Sequence, residues 1–267
     1  MFEIAGHKIG WGQVFISAEL GIAHGGDLDT ALKMIDEAAK AQVQGVKIQY
    51  YKTSDFCKPS DKTITYKQNM DNPSDDPIYY GELVEKTENE YDFFRRHQID
   101  LDFVKACHKR AREYNLVFGV TTTSAQGVTA IIPRPDYYKV ASDMINNERM
   151  IEDMEETEVP IIFSTGHLTI EELRKDKGRN DGSLFLHCQS DYPCYRPKLH
   201  KIRHMQELGY LTGYSHHGQG IKDCIRAAEL GAVFIEAHMC FSHTDPGSDN
   251  WWSLDPQELK TLVEAVK

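Results

Sequence analysis

His217, in Gly213-Tyr-Ser-His-His217, and His238, in Phe234-Ile-Glu-Ala-His238, are the side chains of this sequence best placed for chemistry. Each ends or follows a short run rich in apolar, β-branched and aromatic residues, Tyr210-Leu-Thr-Gly-Tyr214 and Ala232-Val-Phe-Ile235. Between the runs, Gly220-Ile-Lys-Asp-Cys-Ile-Arg-Ala-Ala-Glu-Leu-Gly231 has helical periodicity and closes on glycine. Strand, helix and strand in that order make the two strands parallel neighbours, so both imidazoles leave the same edge of one sheet. Two imidazoles converging there suit a divalent metal that keeps positions open for water and substrate. Taken as a pair alone, they also fit two unrelated polar residues in loops.

The elements that must position them recur along the whole chain. Candidate strands cover residues 14–18, 45–49, 116–120, 137–141, 160–163, 183–187, 211–214 and 232–235. Helical patterns follow at residues 29–41, 100–114, 147–156, 169–177, 198–208, 220–230 and 256–266, with a weakly marked one at 124–132 stopped by Pro133-Arg-Pro135. Thr169-Ile-Glu-Glu and Asp255-Pro-Gln-Glu are helix-start signals. Eight alternations predict an α/β fold, a (β/α)8 TIM barrel formed as one domain over residues 1–267, and the length is near the roughly 250 residues typical of that fold. An open nucleotide-binding sheet needs a Gly-rich first turn that Gly25-Gly26 alone does not supply. Residues 2–12, strand-like with a turn at Gly6-His7, predict a hairpin that plugs the barrel floor. Residues 50–91, rich in Asp, Asn, Ser and Pro, predict a long irregular loop of the kind that carries function.

A formal net charge of −11 argues against nucleic acid or a membrane surface as the main partner. The first residues lack a basic segment followed by an apolar stretch, and no run approaches the roughly 18 apolar residues of a membrane span. Six cysteines without a CxxC pair point to reduced thiols and a cytoplasmic protein.

Polar residues at the strand ends of such a barrel line one face. In chain order they are Glu19, Lys47 with Gln49, Thr121 to Ser124, Lys139 with Ser142, Ser164 with Thr165, His187 with Gln189 and Ser190, Ser215 with His217, and Glu236 with His238. Singly, a lysine here reads as a solvated strand tip, and Ser142 and Ser164 read as helix caps. Together, two lysines and several hydroxyls fit a small anion of two or three charges. A metal beside that pocket could polarise a carbonyl or orient water, with a glutamate to move the proton. The implied pair is a phosphorylated carboxylate and a carbonyl compound.

At these residues the chain resembles the N-acetylneuraminate (sialic acid) synthase family over residues 15–266. The matching segments are Ser17-Ala-Glu-Leu-Gly-Ile-Ala-His-Gly-Gly26, Val46-Lys-Ile-Gln49, Tyr138-Lys-Val-Ala-Ser142 and Pro160-Ile-Ile-Phe-Ser-Thr-Gly166. Leu186-His-Cys-Gln-Ser-Asp-Tyr-Pro193, Gly213-Tyr-Ser-His-His217, Ile235-Glu-Ala-His238 and Asp245-Pro-Gly-Ser-Asp249 complete the set. The resemblance implies a barrel that condenses phosphoenolpyruvate with the open-chain aldehyde of an N-acetylated amino sugar. The product is a nine-carbon 2-keto-3-deoxy acid plus phosphate.

Carried over by position, His217 and His238 hold Mn²⁺ or Mg²⁺, with Glu19 beside a water of the metal. Lys47, Thr121 and Lys139 hold the carboxylate end of phosphoenolpyruvate, and Ser142, Ser164, Ser190 and Ser215 its phosphate. Tyr192 and Asp249 contact the sugar, and Gln49 joins the substrate-binding set. Glu19, Lys47, Lys139, His217 and His238 make up the catalytic set. A homodimer is among the assemblies the resemblance allows. Other aldehydes, such as a legionaminic or pseudaminic acid precursor, remain alternatives, as does a non-catalytic barrel that binds phosphoenolpyruvate or a sugar. The chain departs from the family pattern at Ala23, Met144 and His216, where asparagine, an acidic residue and aspartate are usual. The family's C-terminal antifreeze-like domain, which reaches over a partner's site, is expected to be missing because the sequence stops at Lys267.

Overall fold

A computed structural model of the chain describes residues 2–10, 12–70, 82–166, 168–175 and 183–267. The first half runs β1 (Glu3–Ile4), β2 (His7–Lys8), β3 (Phe15–Glu19), α1 (Leu28–Lys40), β4 (Gly45–Tyr50), β5 (Thr63–Asn69), β6 (Leu83–Asn89), α2 (Glu90–His97), α3 (Leu101–Glu113) and β7 (Val117–Thr122). The second runs α4 (Ala125–Ala130), β8 (Tyr137–Val140), α5 (Glu148–Glu155), β9 (Ile161–Ser164), α6 (Ile170–Lys175), β10 (Leu184–His187), α7 (His200–Glu207), β11 (Leu211–His216), α8 (Lys222–Glu229), β12 (Phe234–His238) and α9 (Pro256–Ala265).

Strands β3, β4, β7, β8, β9, β10, β11 and β12 pair in parallel, each with its sequence neighbour in that set, and β12 returns to β3 to close the barrel. This is the expected (β/α)8 barrel. Alternation along each strand divides the side chains between two cores. Ile16, Ala18, Val46, Ile48, Phe118, Val120, Tyr138 and Ile235 face outward and pack with helix residues such as Met34 and Ile35 of α1. Phe15, Val117, Tyr137, Ile162, Leu184, Leu186 and Phe234 face inward and fill the barrel together with Ile4 and Ile9. Large rings fit only where a partner strand is bare. A Cβ on Gly119 would lie 2.1 Å from Cζ of Tyr137, so glycine there admits the tyrosine, whose hydroxyl hydrogen-bonds Ser17 at 2.8 Å.

β1 and β2 form the floor hairpin, with register Glu3↔Lys8 and Ile4↔His7. Its turn is therefore Ala5-Gly6, one position earlier than the sequence indicates. Helix starts follow local chemistry: Asp27 caps α1 by accepting from the Thr30 N–H at 2.8 Å, and Asp255 with Glu258 forms a capping box on α9. Thr169 and Glu172 form the reciprocal pair at α6. Residues 176 and 177, the end of the helix expected over 169–177, lie outside the described residues.

Two differences matter for the site. Most barrel strands run one to three residues further toward their carboxyl ends than their apolar runs do, so Glu19, Thr121, Ser164 and His238 are strand residues held by the ladder. Residues 50–91 are not an irregular loop. β5 and β6 pair antiparallel from Thr63↔Asn89 to Asn69↔Leu83, and α2 follows at once, capped by the Asn89 side chain. β5 alternates exposed and half-buried positions, the period-two pattern that its Thr, Ile and Tyr residues favour. Residues 71–81 lie outside the described set.

Candidate active site

The strand register brings the polar ends to one level: His238 lies beside Glu19, Glu19 beside Lys47, Gln49 beside Thr121, and Thr121 beside Lys139. Above them opens a cleft of about 1400 Å³. All thirteen residues expected in the site line it: Glu19, Lys47, Gln49, Thr121, Lys139, Ser142, Ser164, Ser190, Tyr192, Ser215, His217, His238 and Asp249.

At its base, two ammonium groups and two carboxylates are enclosed together. Lys47 is 3 % exposed, Lys139 2 %, Glu19 1 % and Glu236 4 %. Neither lysine is a solvated strand tip. The Lys47 ammonium lies 2.6 Å from Glu19 Oε2 and 3.8 Å from Glu236 Oε2, and donates to Thr121 Oγ1 at 2.7 Å. Lys139 donates to Ser164 Oγ at 2.6 Å and lies 4.0 Å from Glu236 Oε1. Ser215 donates to Glu236 Oε1 at 3.1 Å. Ser142 and Ser190 hydrogen-bond each other at 3.1 Å. Neither Ser142 nor Ser164 is an N-cap; Asn147 caps α5. Ser124 does act as a cap, on α4.

Burial and charge set the protonation of the group. Burial pushes the Glu236 carboxyl up, but Lys139 and Lys47 outweigh it and hold it below the ordinary value. Burial prevails at Glu19, which is raised although Lys47 opposes the shift. Burial likewise lowers Lys139, while Glu19 and Glu236 more than offset it at Lys47.

On the other side stand the imidazoles, ring centres 5.6 Å apart. His217 Nδ1 lies 2.6 Å from the Gln189 carbonyl, which can only accept, so Nδ1 carries the hydrogen and Nε2 keeps its lone pair. Burial lowers His217 to about 4 and His238 well below its ordinary value, so both rings are neutral at physiological pH. Tyr192 packs on His217 at 4.3 Å between ring centres, and Trp252 on His238 at 4.9 Å. Asp249 Oδ2 lies 3.9 Å from His238 Nδ1. Gly21, with φ +52°, keeps space open here: a Cβ on it would stand 3.0 Å from His238 Nδ1 and 3.6 Å from Asp249 Oδ2. Neutral nitrogen donors, neighbouring carboxylates and that cradle fit a divalent cation with open positions. A second cluster, His243 with Asp255 and Glu258, has ligating atoms within 4.8 Å of one another, but its carboxylates cap α9.

Glu236 is the residue whose role the sequence reading missed. The sequence places it at its strand end, one of two glutamates able to move a proton, and outside the set carried over from the resemblance, yet it faces both lysines. Its position two residues before His238 on one strand was the available signal. His187 and His216 are excluded by the same parity, for neither lines the cleft. His187 is fully buried on the outer face, pushed by burial to about 4, and neither ring nitrogen has a hydrogen-bond partner. His216 is buried beside Tyr214. Ala23 packs on the outer core, and Met144 both packs there and reaches the cleft.

A (β/α)8 barrel with two buried lysines at the base of its cleft and a histidine pair at its carboxyl-end mouth is the class that fold and site define. The NeuB family description matches residues 34–267, and the chain belongs to that family. The N,N'-diacetyllegionaminic acid synthase of Campylobacter jejuni subsp. jejuni is 27 % identical, over 96 % of this chain and 76 % of its own length. The pseudaminic acid synthase of the same bacterium is 29 % identical, over 96 % and 73 %. The crystal structure of N-acetylneuraminic acid synthetase from Leptospira borgpetersenii, in complex with citrate, matches with a TM-score of 0.81 at 25 % identity, covering 99 % of this chain and 87 % of that one.

Proposed function

We propose that this barrel condenses phosphoenolpyruvate with the open-chain aldehyde of an N-acylated amino sugar, giving a 2-keto-3-deoxy sugar acid and phosphate. The observation that carries this reading is the burial of Lys47 and Lys139 in the same cleft as two neutral imidazoles. Membership of a family whose named relatives make sialic-type acids supports it.

Lys47 with Thr121 and Lys139 with Ser164 supply charge-assisted donors for a carboxylate and a phosphate, and Ser142, Ser190 and Ser215 add hydroxyls. Glu236 orients both ammonium groups while the site is empty and yields them to the incoming anion. His217 and His238 hold the divalent cation, Mn²⁺ or Mg²⁺, which when bound polarises the aldehyde oxygen. The methylene carbon of phosphoenolpyruvate attacks the aldehyde carbon, and the aldehyde oxygen takes a proton to become a hydroxyl. Water then adds at the enol carbon and gives up its proton. Glu19, whose burial raises its affinity for protons, is placed to take it. Collapse to the ketone breaks the C–O bond and releases phosphate. Tyr192 and Asp249 border the acceptor side, and Gln49 holds Glu19 in place by donating to its Oε1 at 2.8 Å.

Incubation with phosphoenolpyruvate, Mn²⁺ and a panel of amino sugars, following phosphate and 2-keto acid together, tests the reading. Coupled release of both supports it. Phosphoenolpyruvate binding without any turnover would favour a binding barrel, and no binding at all would sink both.

A further inference from the structure

Residues 20–27 join β3 to α1 without a regular repeat, and His24 stands in the middle of them. Its side chain is buried, packs on Phe103 of α3 at 5.1 Å between ring centres, and takes no part in the steps proposed for the reaction. An imidazole placed only to fill that space would leave its nitrogens bare, at a cost. Here the ring is bonded on both sides. Nδ1 accepts the Gly26 N–H at 3.0 Å, which leaves the ring hydrogen on Nε2. The other partner is the Gly21 carbonyl, which can only accept. Burial lowers His24 to about 4, so the ring is neutral and this tautomer persists through neutral pH.

Gly21, at the other end of that contact, faces the site twice. Its N–H donates to Glu19 Oε1 at 3.1 Å, the same oxygen that accepts from Gln49. Glu19 Oε2 is thereby left to Lys47, 2.6 Å away. The bare α-carbon of Gly21 stands against His238 and Asp249. The segment is closed by short-range bonds from the Ala23 N–H to the Leu20 carbonyl, Gly25 to Ile22 and Asp27 to His24, at 3.1, 2.9 and 3.0 Å. These bonds do not involve Gly21, and a glycine, free about both torsions, is the residue least able to keep one conformation unaided.

We infer that His24 is a positioning residue for the condensation proposed above. By holding the Gly21 carbonyl, its ring aims the Gly21 N–H at Glu19 and keeps the turn clear of His238. One oxygen of Glu19 is then fixed, and the cation's side of the cleft stays open. The inference rests on the proposed reaction and gives His24 no contact with substrate.

Three substitutions separate this role from packing. His24→Leu fills much of the space without a hydrogen-bonding group. His24→Asn can accept from the N–H two residues on but is too short for the Gly21 carbonyl. His24→Gln is long enough to donate to that carbonyl. Steady-state turnover with the best acceptor is measured beside Tm and calorimetric binding of Mn²⁺ and of phosphoenolpyruvate. In His24→Leu and His24→Asn, kcat and Mn²⁺ affinity should each fall at least about tenfold, as when partners behind a metal site are lost. KM for phosphoenolpyruvate and its affinity should change little, and His24→Gln should recover most of both losses. Should His24→Leu fail to fold, the Gln and Asn variants carry the comparison by themselves. Equal losses in these two, losses that follow Tm alone, or parental kcat and Mn²⁺ affinity in His24→Asn would overturn the inference while the parent still turns over. A parent that neither binds nor consumes phosphoenolpyruvate would instead remove the functional reading and this one with it.

Discussion

The imidazole of His217, just past β11, is steered by the Gln189 carbonyl just past the neighbouring strand β10, and its ring is covered by Tyr192. Replacing His217 or His238 with alanine should abolish Mn²⁺ binding, measured by calorimetry or by the relaxation of water protons, while circular dichroism and Tm stay near those of the parent. Retained stoichiometric Mn²⁺ in both variants would return the pair to a packing role. Lys139→Ala leaves Glu236 with Lys47 still 3.8 Å away, so the fold should survive. Its phosphoenolpyruvate affinity should drop by about 1.5–3 kcal/mol, the value of a hydrogen bond to a charged group. These residues were legible because a histidine or lysine ending an apolar run is conspicuous. Glu236 was not, since its partners stand at positions 47 and 139 and only closure of the barrel brings them together.

Among elements, the β5–β6 hairpin is the one that residue composition concealed. Asp, Asn, Ser and Pro in residues 50–91 read as loop, while the pairing that makes a hairpin is a relation between two segments. Its ends are already joined, for the Glu90 N–H donates to the Lys62 carbonyl at 3.0 Å. Excising residues 63–89 and bridging that gap with a short Gly linker should leave the barrel folded and phosphoenolpyruvate affinity intact. Acceptor KM should rise at least about tenfold; an unchanged KM would show that the hairpin takes no part in the site. The hairpin is fastened to the loop before α9 by the Asn69 amide, which donates to the His243 carbonyl. His243 Nε2 in turn lies 3.0 Å from Glu258 Oε2 and 3.7 Å from Asp255 Oδ2. The hydrogen bond to Glu258 raises this imidazole above its ordinary pKa of 6.5. A raised folded value means that the stabilisation is complete below the unfolded pKa and fades as pH climbs through the folded one. His243→Gln should therefore be less stable than the parent at about pH 6, by no more than about 1 kcal/mol for so exposed a group, and equal to it at about pH 9. A constant difference in Tm across that range would contradict the assignment.

At the scale of the whole molecule, the barrel was legible because strand and helix patterns alternate along the entire chain and each keeps its own period. The inner and outer cores follow from strand parity alone, as Phe15 against Ile16 illustrates. What parity could not give was the extent of each strand: Glu19, Ser164 and His238 continue the ladder past the last apolar residue, where hydropathy ceases to mark it.

The floor hairpin carries a kinetic consequence. Ile4 and Ile9 close the amino end of the barrel against Phe15, Phe234 and Leu184, so among the described residues the cleft is reached from the carboxyl-end mouth. Lys139 and Ser164 are almost fully buried at the far end of that passage and Tyr192, 55 % exposed, lines its outer part, which makes the molecule a blind alley with parking in fixed order. In the proposed reaction, phosphoenolpyruvate must drive in before the sugar, and whatever is left at the back must wait for the sugar acid to depart. Inorganic phosphate should accordingly inhibit competitively against phosphoenolpyruvate and not against the sugar. The inverse pattern would mean that the two substrates pass one another.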